Sequence, residues 1–185
     1  VSDITLVDFD TIDITNLNRQ LMTNLDNIGE YKVDVLEKRI KSINEDVKIK
    51  KITDFIDLNN IDILFDDNPS YIIDCCDSIH TKKELIRKCL KRKIKFITCM
   101  GTGNKLDPSK LEIIDVRKTS YDPIAKIIRK FLKDERLNGK VLCGCSREMP
   151  IKTNSKIIGS TSFVPSSAGL LITSYVIRDI INEKK

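Results

Sequence analysis

Short apolar runs rich in β-branched residues alternate along this chain with longer stretches of helical period. Such alternation is typical of an α/β domain with a largely parallel sheet, because a helix usually connects one parallel strand to the next. The predicted strands are Ile4 to Val7 and the runs KIKKIT from Lys48, YIID from Tyr71, KFITCM from Lys95 and LEIIDV from Leu111.

The 3.6-residue apolar period and the usual start signals predict four helices. Proline suits a first helical turn, so the third helix is expected to begin near Pro123. Between the last two helices, Gly, Cys, Pro and Ser cluster and the periodicity fades, which predicts an irregular linker from Asn138 to Gly159. The predicted helices are Tyr31 to Asn44, Thr81 to Arg92 with Thr81 or Ser78 as N-cap, about Pro123 to Lys133, and about Pro165 to Asn182.

Composition favours a single domain. A chain of 185 residues with 41% hydrophobic content can bury one substantial core but hardly two, so we expect residues 1–185 to form one domain. No segment approaches the roughly 18 uninterrupted apolar residues of a membrane span, and the start lacks the layout of a signal peptide. We therefore expect a cytoplasmic protein with no membrane partner. The net charge of +5 allows a polyanionic partner without requiring one.

Cysteine spacing gives little sign of a metal site. The six cysteines lie mostly inside apolar segments, and no pair of Cys-x-x-Cys motifs offers four zinc ligands. Cys143-x-Cys145 is at most half a site, since His80 is the one histidine in the chain. We expect reduced core thiols. The cysteines are Cys75, Cys76, Cys89, Cys99, Cys143 and Cys145.

The residues that close the predicted strands are candidates for ligand binding, because a doubly wound sheet binds its ligand beyond the carboxyl ends of its strands. Asp8, Asp77 and Gly101 hold such positions. Asp8 has the position of the acidic residue that hydrogen-bonds the ribose hydroxyls in nucleotide-binding sheets, but a strand-end aspartate is also a common turn or cap residue. The chain starts at Val1, which leaves no room for an earlier strand, Gly-rich loop and helix. Either that segment is missing or the site does not bind a nucleotide.

Two cationic side chains follow Asp8 in the sequence. Arg19 offers a planar fork of donors suited to phosphate, and Lys32 lies at the predicted start of the next helix. With Asp8 they suggest a nucleoside triphosphate. The alternative is that Arg19 pairs with Asp10 or Asp13 and that Lys32 is merely solvated.

DCCDS, which begins at Asp74, adds a second acidic strand end. Asp74 should be the last residue of its strand, while Asp77 lies beyond it and is placed to meet a magnesium ion carried by a nucleotide.

The ordered set Asp8, Asn16-Leu-Asn18-Arg19-Gln20, Lys32 and Asp77-Ser78 resembles the adenylate-forming superfamily of ThiF, molybdopterin-synthase adenylyltransferase and ubiquitin-activating enzymes over nearly the whole chain. The resemblance implies a Rossmann-like, doubly wound, mostly parallel α/β fold of the ThiF type, here without its first strand, Gly-rich loop and first helix. It implies ATP and Mg²⁺ as cofactors. The implied catalytic residues are Arg19, Lys32 and Asp77, with Asp77 on the magnesium. The implied nucleotide-binding residues are Asp8 on the ribose, Asn16, Asn18, Arg19 and Lys32 on the phosphates, and Asp77 with Ser78.

Three segments of the second half look like the tRNA threonylcarbamoyladenosine dehydratase group of that superfamily. They are KTSYDPIAKIIRKFLK from Lys118, KVLCGCSREMPIK and GSTSFVPSSAGLL. The resemblance implies that ATP adenylates the carboxylate of a threonylcarbamoyl-modified adenosine in tRNA, which then cyclises with loss of AMP. It also allows a sulfur-trafficking protein partner. One alternative is an adenylyltransferase that activates the C-terminus of a ubiquitin-like sulfur carrier, and another is a non-catalytic domain that retains the fold.

Two predicted helices suggest partners. The helix predicted from about Pro123 to Lys133 has an apolar stripe opposite a basic face, and the stripe consists of Ile124, Ile127, Ile128 and Phe131. The basic face either follows an RNA backbone or is an ordinary solvated face. The helix predicted from about Pro165 to Asn182 has an apolar arc wider than one core-facing stripe, which suggests a homodimer contact unless the arc packs on the sheet and the linker. The candidate tRNA-binding residues are Lys126, Arg129, Lys130 and Lys133. The arc consists of Leu170, Leu171, Ser174, Val176, Ile177, Ile180 and Ile181.

Overall fold

The computed structural model describes residues 1–154 and 157–183. These residues form two compact units, Val1–Ile56 and Asp57–Lys185. Both units combine helices with mostly parallel strand pairs, which confirms the predicted α/β class. No helix of the described part is both long and apolar enough to cross a membrane.

The first unit is built around one parallel strand pair. Strand β1 (Asp3–Val7) pairs with β2 (Lys48–Ile52), and helix α1 (Lys32–Lys41) connects them. Helix α1 is shorter at both ends than the predicted span, and it buries Val33 and Val35. Between β1 and α1 the chain makes two 3-10 turns, each fixed by a capping box in which side chain and backbone bond reciprocally.

The second unit contains a four-stranded sheet and three helices. In spatial order the strands are β3 (Tyr71–Asp74), β4 (Lys95–Cys99), β6 (Leu142–Ser146) and β5 (Leu111–Asp115). The pairs β3–β4 and β4–β6 are parallel, whereas β5 runs antiparallel to β6. The helices are α2 (Ile79–Arg92), α3 (Pro123–Asp134) and α4 (Phe163–Glu183).

Strand β6 corrects the prediction of an irregular linker from Asn138 to Gly159. Its sequence LCGCS carries a central glycine, which weakens the strand signal. The glycine has a packing role, because a Cβ on Gly144 would lie 2.7 Å from Cδ1 of Ile172 in α4. The missing side chain therefore lets α4 approach the sheet closely. Residues 155 and 156 of the predicted linker lie outside the described residues.

Helix α4 covers the sheet of the second unit. Ile97 of β4 packs with Ile172 and Val176 of α4 in a buried cluster. The predicted apolar arc of this helix is therefore partly used inside the unit, whereas Leu170 and Ile181 stay 66% and 51% exposed.

Candidate active site

The carboxylate of Asp8 stands at the end of β1. Its backbone N–H donates to the Ile52 carbonyl (3.1 Å), so the parallel ladder continues one residue past the strand. Its side-chain Oδ1 accepts from the N–H of Asp10 (2.9 Å), which makes the tight turn that often follows a strand-end aspartate. The side chain remains 37% exposed, so this carboxylate is accessible at the strand end.

Lys32 is buried, and the alternative of a merely solvated lysine is wrong. Its side chain is 8% exposed, and Nζ lies 2.6 Å from Oδ2 of Asp10 and 3.8 Å from Oδ2 of Asp8. The cause is a short antiparallel bridge between Thr11 and Tyr31, which lays the chain after β1 beside the start of α1. The structure thus brings Asp8 and Lys32 together, with an ammonium group fixed between two carboxylates.

The predicted phosphate ligands Asn16, Asn18 and Arg19 lie on the first 3-10 turn and just after it. Asn16 is buried, and its Oδ1 accepts from the N–H of Asp13 (3.1 Å) in the capping box. The half-buried Arg19 donates from Nη1 to the Thr15 carbonyl (2.6 Å) and to Oδ1 of Asn18 (3.1 Å). These bonds fix the orientation of the guanidinium group.

Asp77 and Ser78 lie in the second unit, at the start of α2. Ser78 Oγ accepts from Thr81 N (3.3 Å) and from Thr81 Oγ1 (2.9 Å), so Ser78 is the N-cap that the sequence left open between two residues. Asp74 is the last residue of β3, as predicted. Asp77 is exposed one residue before the cap, where a helix N-terminus favours negative charge.

A buried polar triangle beneath this turn was missed in the sequence. Lys82 Nζ donates to Oδ2 of Asp74 (2.7 Å) and to Oγ1 of Thr98 (2.9 Å), and the threonine hydroxyl donates to the same Asp74 oxygen (2.6 Å). Burial opposes the charged form of Lys82, but the surrounding groups, foremost the Asp74 carboxylate, together outweigh burial and raise the lysine pKa above its usual value. The sequence does contain a clue to this site, because Lys82 lies on the same buried stripe of α2 as Leu85 and Cys89.

A second buried lysine closes the loop after β4. Lys105 Nζ donates to the Gly101 carbonyl (3.1 Å) and lies 3.6 Å from Oδ2 of Asp122, and both side chains are 1% exposed. Asp122 Oδ1 caps α3 by accepting from Ala125 N (2.8 Å), whereas its Oδ2 makes no hydrogen bond among the described residues. The sequence pattern indicates Gly101 as a strand-end residue but gives no sign of the pair Lys105 and Asp122.

Helix α3 presents the predicted basic face. Lys126, Lys130 and Lys133 are exposed, while the half-buried Arg129 donates from Nη1 to the carbonyl and hydroxyl of Thr119. The predicted opposite stripe is wrong in one member, Ile127, which is 41% exposed. The buried members of α3 are Ala125, Ile128, Phe131 and Leu132.

Comparison with known proteins shows the family of this chain. A model of the ThiF family matches residues 1–161. The chain belongs to the ThiF family. A similar ThiF-type relative, the tRNA threonylcarbamoyladenosine dehydratase of Bacillus subtilis (strain 168), is 36% identical over 99% of this chain and 79% of that protein.

Two crystal structures share this ThiF-type fold closely. Both are of the E. coli tRNA N6-threonylcarbamoyladenosine dehydratase, one in complex with AMP and one with ATP. Each superposes with a TM-score of 0.91 and covers 99% of this chain and 77% of the other, at 31% and 30% identity. The family resemblance seen in the sequence is therefore confirmed.

The thiols of this ThiF chain differ in part from the prediction of core cysteines. Cys89, Cys143 and Cys145 are buried, but Cys75 and Cys76 are exposed because they form the turn after β3. Among the described residues, no group of three or more His, Cys, Asp and Glu side chains could hold a metal ion.

Proposed function

We propose that this chain is an ATP-dependent enzyme that adenylates the carboxylate of threonylcarbamoyl-modified adenosine in tRNA and then cyclises it. The carboxylate oxygen bonds to the α-phosphorus and pyrophosphate leaves; a nucleophile of the same side chain then attacks the acyl carbon and AMP leaves. The observation that carries the proposal is 36% identity over 99% of the chain to a tRNA threonylcarbamoyladenosine dehydratase. The crystal structures of its E. coli counterpart with AMP and ATP support the adenylation step.

The proposed nucleotide site uses the charges near the end of β1. Asp8 accepts from the ribose hydroxyls, and Asn16, Asn18, Arg19 and Lys32 bind the phosphates. The donor set fits ATP, because negative charge develops on the α-phosphoryl group and the departing pyrophosphate, and fixed cations stabilise it. The buried position of Lys32 supports this role, since an ammonium group already held by Asp10 needs little reorganisation during the reaction.

Magnesium is proposed to be carried by the nucleotide, with Asp77 as its protein ligand and Ser78 beside it. Magnesium commonly uses one or two carboxylates together with substrate phosphates, so a single exposed aspartate suffices. The lack of a three-ligand cluster among the described residues fits this mode. No enzyme thiol is needed, because an intramolecular nucleophile gains from proximity.

The deciding experiment measures pyrophosphate release by the full-length protein. We expect release to depend on tRNA that bears threonylcarbamoyladenosine, with the same tRNA lacking the modification as the control. Stimulation by a diglycine-ended ubiquitin-like protein instead would support the sulfur-carrier alternative. No release with either would support the non-catalytic alternative.

Arg19 tests the assignment of the phosphate-binding residues. We expect Arg19→Ala to lower the adenylation rate by about 100-fold, as for other preorganised electrostatic groups. Arg39→Ala is a matched control, because Arg39 is an exposed arginine on α1 of the same unit. A near-normal rate for Arg19→Ala would remove this residue from the site.

The basic face of α3, formed by Lys126, Arg129, Lys130 and Lys133, is proposed to contact the tRNA backbone. The exposure of its three lysines supports this role. Removing one side chain that binds a phosphate should reduce the slope of log K against log salt by about one unit. We expect that reduction for Lys130→Ala but not for Lys91→Ala, an exposed lysine at the end of α2. Equal slopes for the two variants would exclude Lys130 from the interface.

The remaining parts of the proposal concern assembly and location. We propose that residues 1–185 act as one adenylation domain in the cytoplasm and that the protein is a homodimer. The exposed Leu170 and Ile181 of α4 support a dimer contact, because apolar surface is usually covered. In a sedimentation experiment, the Leu170→Glu variant should then be a monomer where the wild type is a dimer. A wild-type protein that sediments as a monomer at micromolar concentration would refute the proposed homodimer. A sulfur-trafficking protein partner stays a prediction from the family resemblance.

A further inference from the structure

The triangle of Lys82, Thr98 and Asp74 reaches the turn that carries Asp77. One carboxylate oxygen of Asp74, Oδ2, is occupied by Lys82 Nζ and the Thr98 hydroxyl. The other, Oδ1, accepts from the backbone N–H of Cys76 (3.0 Å). The orientation of this buried carboxylate therefore determines where the backbone lies one residue before Asp77.

The far side of the same turn is also fixed. Lys82 N donates to the Ser78 carbonyl (2.9 Å), and Ser78 Oγ caps the helix through Thr81. Lys82 thus contacts the turn twice, through its side chain at Asp74 and through its backbone at Ser78. Asp77 lies between these two fixed points and is exposed.

We propose that Lys82 and Thr98 are positioning residues that act through Asp74 to hold the Asp77 carboxylate where it meets the magnesium of bound ATP. The inference rests on the proposed function and deepens it. Neither residue touches the nucleotide, because Lys82 and Thr98 are both 0% exposed.

Stability alone does not account for the charges of this triangle. Replacing a buried ion pair by apolar residues of similar volume is often neutral or stabilising, so packing between α2 and the sheet does not require a lysine and an aspartate. What apolar side chains cannot do is accept from the Cys76 N–H and fix the direction of the turn. Mutation of residues that hold a metal ligand in place typically lowers metal affinity or activity 10–100-fold.

The test compares MgATP binding and turnover in three variants of the full-length protein. Thr98→Val removes one side of the triangle with little change in volume, and Lys82→Met removes the ammonium group. Ile86→Val is the matched control, because Ile86 is a fully buried residue of α2 outside the triangle. We expect the Mg²⁺ concentration for half-maximal ATP binding, measured by calorimetry, to rise about 10-fold for Thr98→Val and up to about 100-fold for Lys82→Met. It should stay unchanged for Ile86→Val.

A double-mutant cycle with Asp77→Asn separates positioning from general destabilisation. If Thr98 acts through Asp77, Thr98→Val should have no further effect on the Mg²⁺ requirement once Asp77 has lost its charge. Additive effects, or equal shifts in Thr98→Val and Ile86→Val, would overturn the inference. A wild-type protein that binds MgATP but releases no pyrophosphate with modified tRNA would refute the proposed function and leave the positioning role standing. A wild-type protein that binds no MgATP would refute both.

Discussion

Replacing Lys82 by methionine should strongly destabilise the second unit. Methionine keeps most of the apolar stem of lysine, so the change removes mainly the ammonium group. The Asp74 carboxylate then stays in a site where its side chain is 1% exposed, while the Thr98 hydroxyl and the Cys76 N–H still donate to it. Breaking a buried ion pair on one side costs about 3–5 kcal/mol. Because two donors remain, we expect a loss near 3 kcal/mol, the lower end of that range.

The second buried lysine provides the comparison. Lys105 lies 3.6 Å from Asp122, whereas Lys82 lies 2.7 Å from Asp74. The longer pair has no hydrogen bond between its charged groups, and Coulomb attraction falls with distance. Lys105→Met should therefore lower the free energy of unfolding clearly less than Lys82→Met does. The double variant Lys82→Met/Asp74→Leu should recover most of the stability, because no uncompensated charge remains.

Urea unfolding followed by circular dichroism at pH 7 measures the free energy of unfolding of wild type and of each lysine variant, provided that the m-values stay equal. The pKa of Lys82 is raised in the folded protein, so its contribution is complete below the ordinary lysine value and is lost as pH rises through the folded pKa. The difference between wild type and Lys82→Met should thus stay constant through neutral pH and shrink in strong alkali. A loss below about 1 kcal/mol, or a double variant as unstable as the single one, would refute the reasoning.

Two further predictions concern thiol reactivity and packing. A hydrogen bond with Cys99 lowers the pKa of Cys75, while partial desolvation and the Asp74 carboxylate raise the pKa of Cys76 to about 12. Because the thiolate is the reactive form, iodoacetamide at pH 8 should label Cys75 faster than Cys76. Peptide mass spectrometry measures the two labelling rates. Equal labelling of the two would contradict this. Gly144→Ala should lower the free energy of unfolding by about 1–3 kcal/mol, because the added Cβ would meet Ile172. Gly169→Ala in α4 should raise it by about 0.5–1 kcal/mol, because a Cβ there meets nothing within 4 Å and alanine favours a helix. Urea titrations measure both changes. Similar stabilities for these glycine variants would show that the packing argument fails.

The sequence predicted those parts of the fold that depend on local pattern. Apolar runs located the first five strands, and cap chemistry narrowed the N-cap of α2 to Thr81 or Ser78, of which Ser78 is the observed cap. Strand β6 was missed because its central Gly144 is explained only by the close approach of α4, which comes from a distant part of the chain. Residue patterns along one segment do not contain that contact.

Burial of charged residues was the least predictable property of the site. Lysine is usually solvated, yet Lys32 and Lys82 are both buried against aspartates that lie 22 and 8 positions earlier in the chain. For Lys82, the apolar stripe of α2 was an available clue. For Lys32, burial follows from the bridge between Thr11 and Tyr31, which has no local sequence signal.

The contact between Gly144 and Ile172 also has a consequence for the evolution of this family. A side chain at position 144 fits only if the residue at position 172 becomes smaller or if α4 moves outward, since the two positions share one volume. Substitutions at the two sites should therefore occur together in aligned ThiF sequences that keep this helix on the sheet. An alignment in which the residue at 144 enlarges while a β-branched residue stays at 172 would mark lineages in which α4 packs differently.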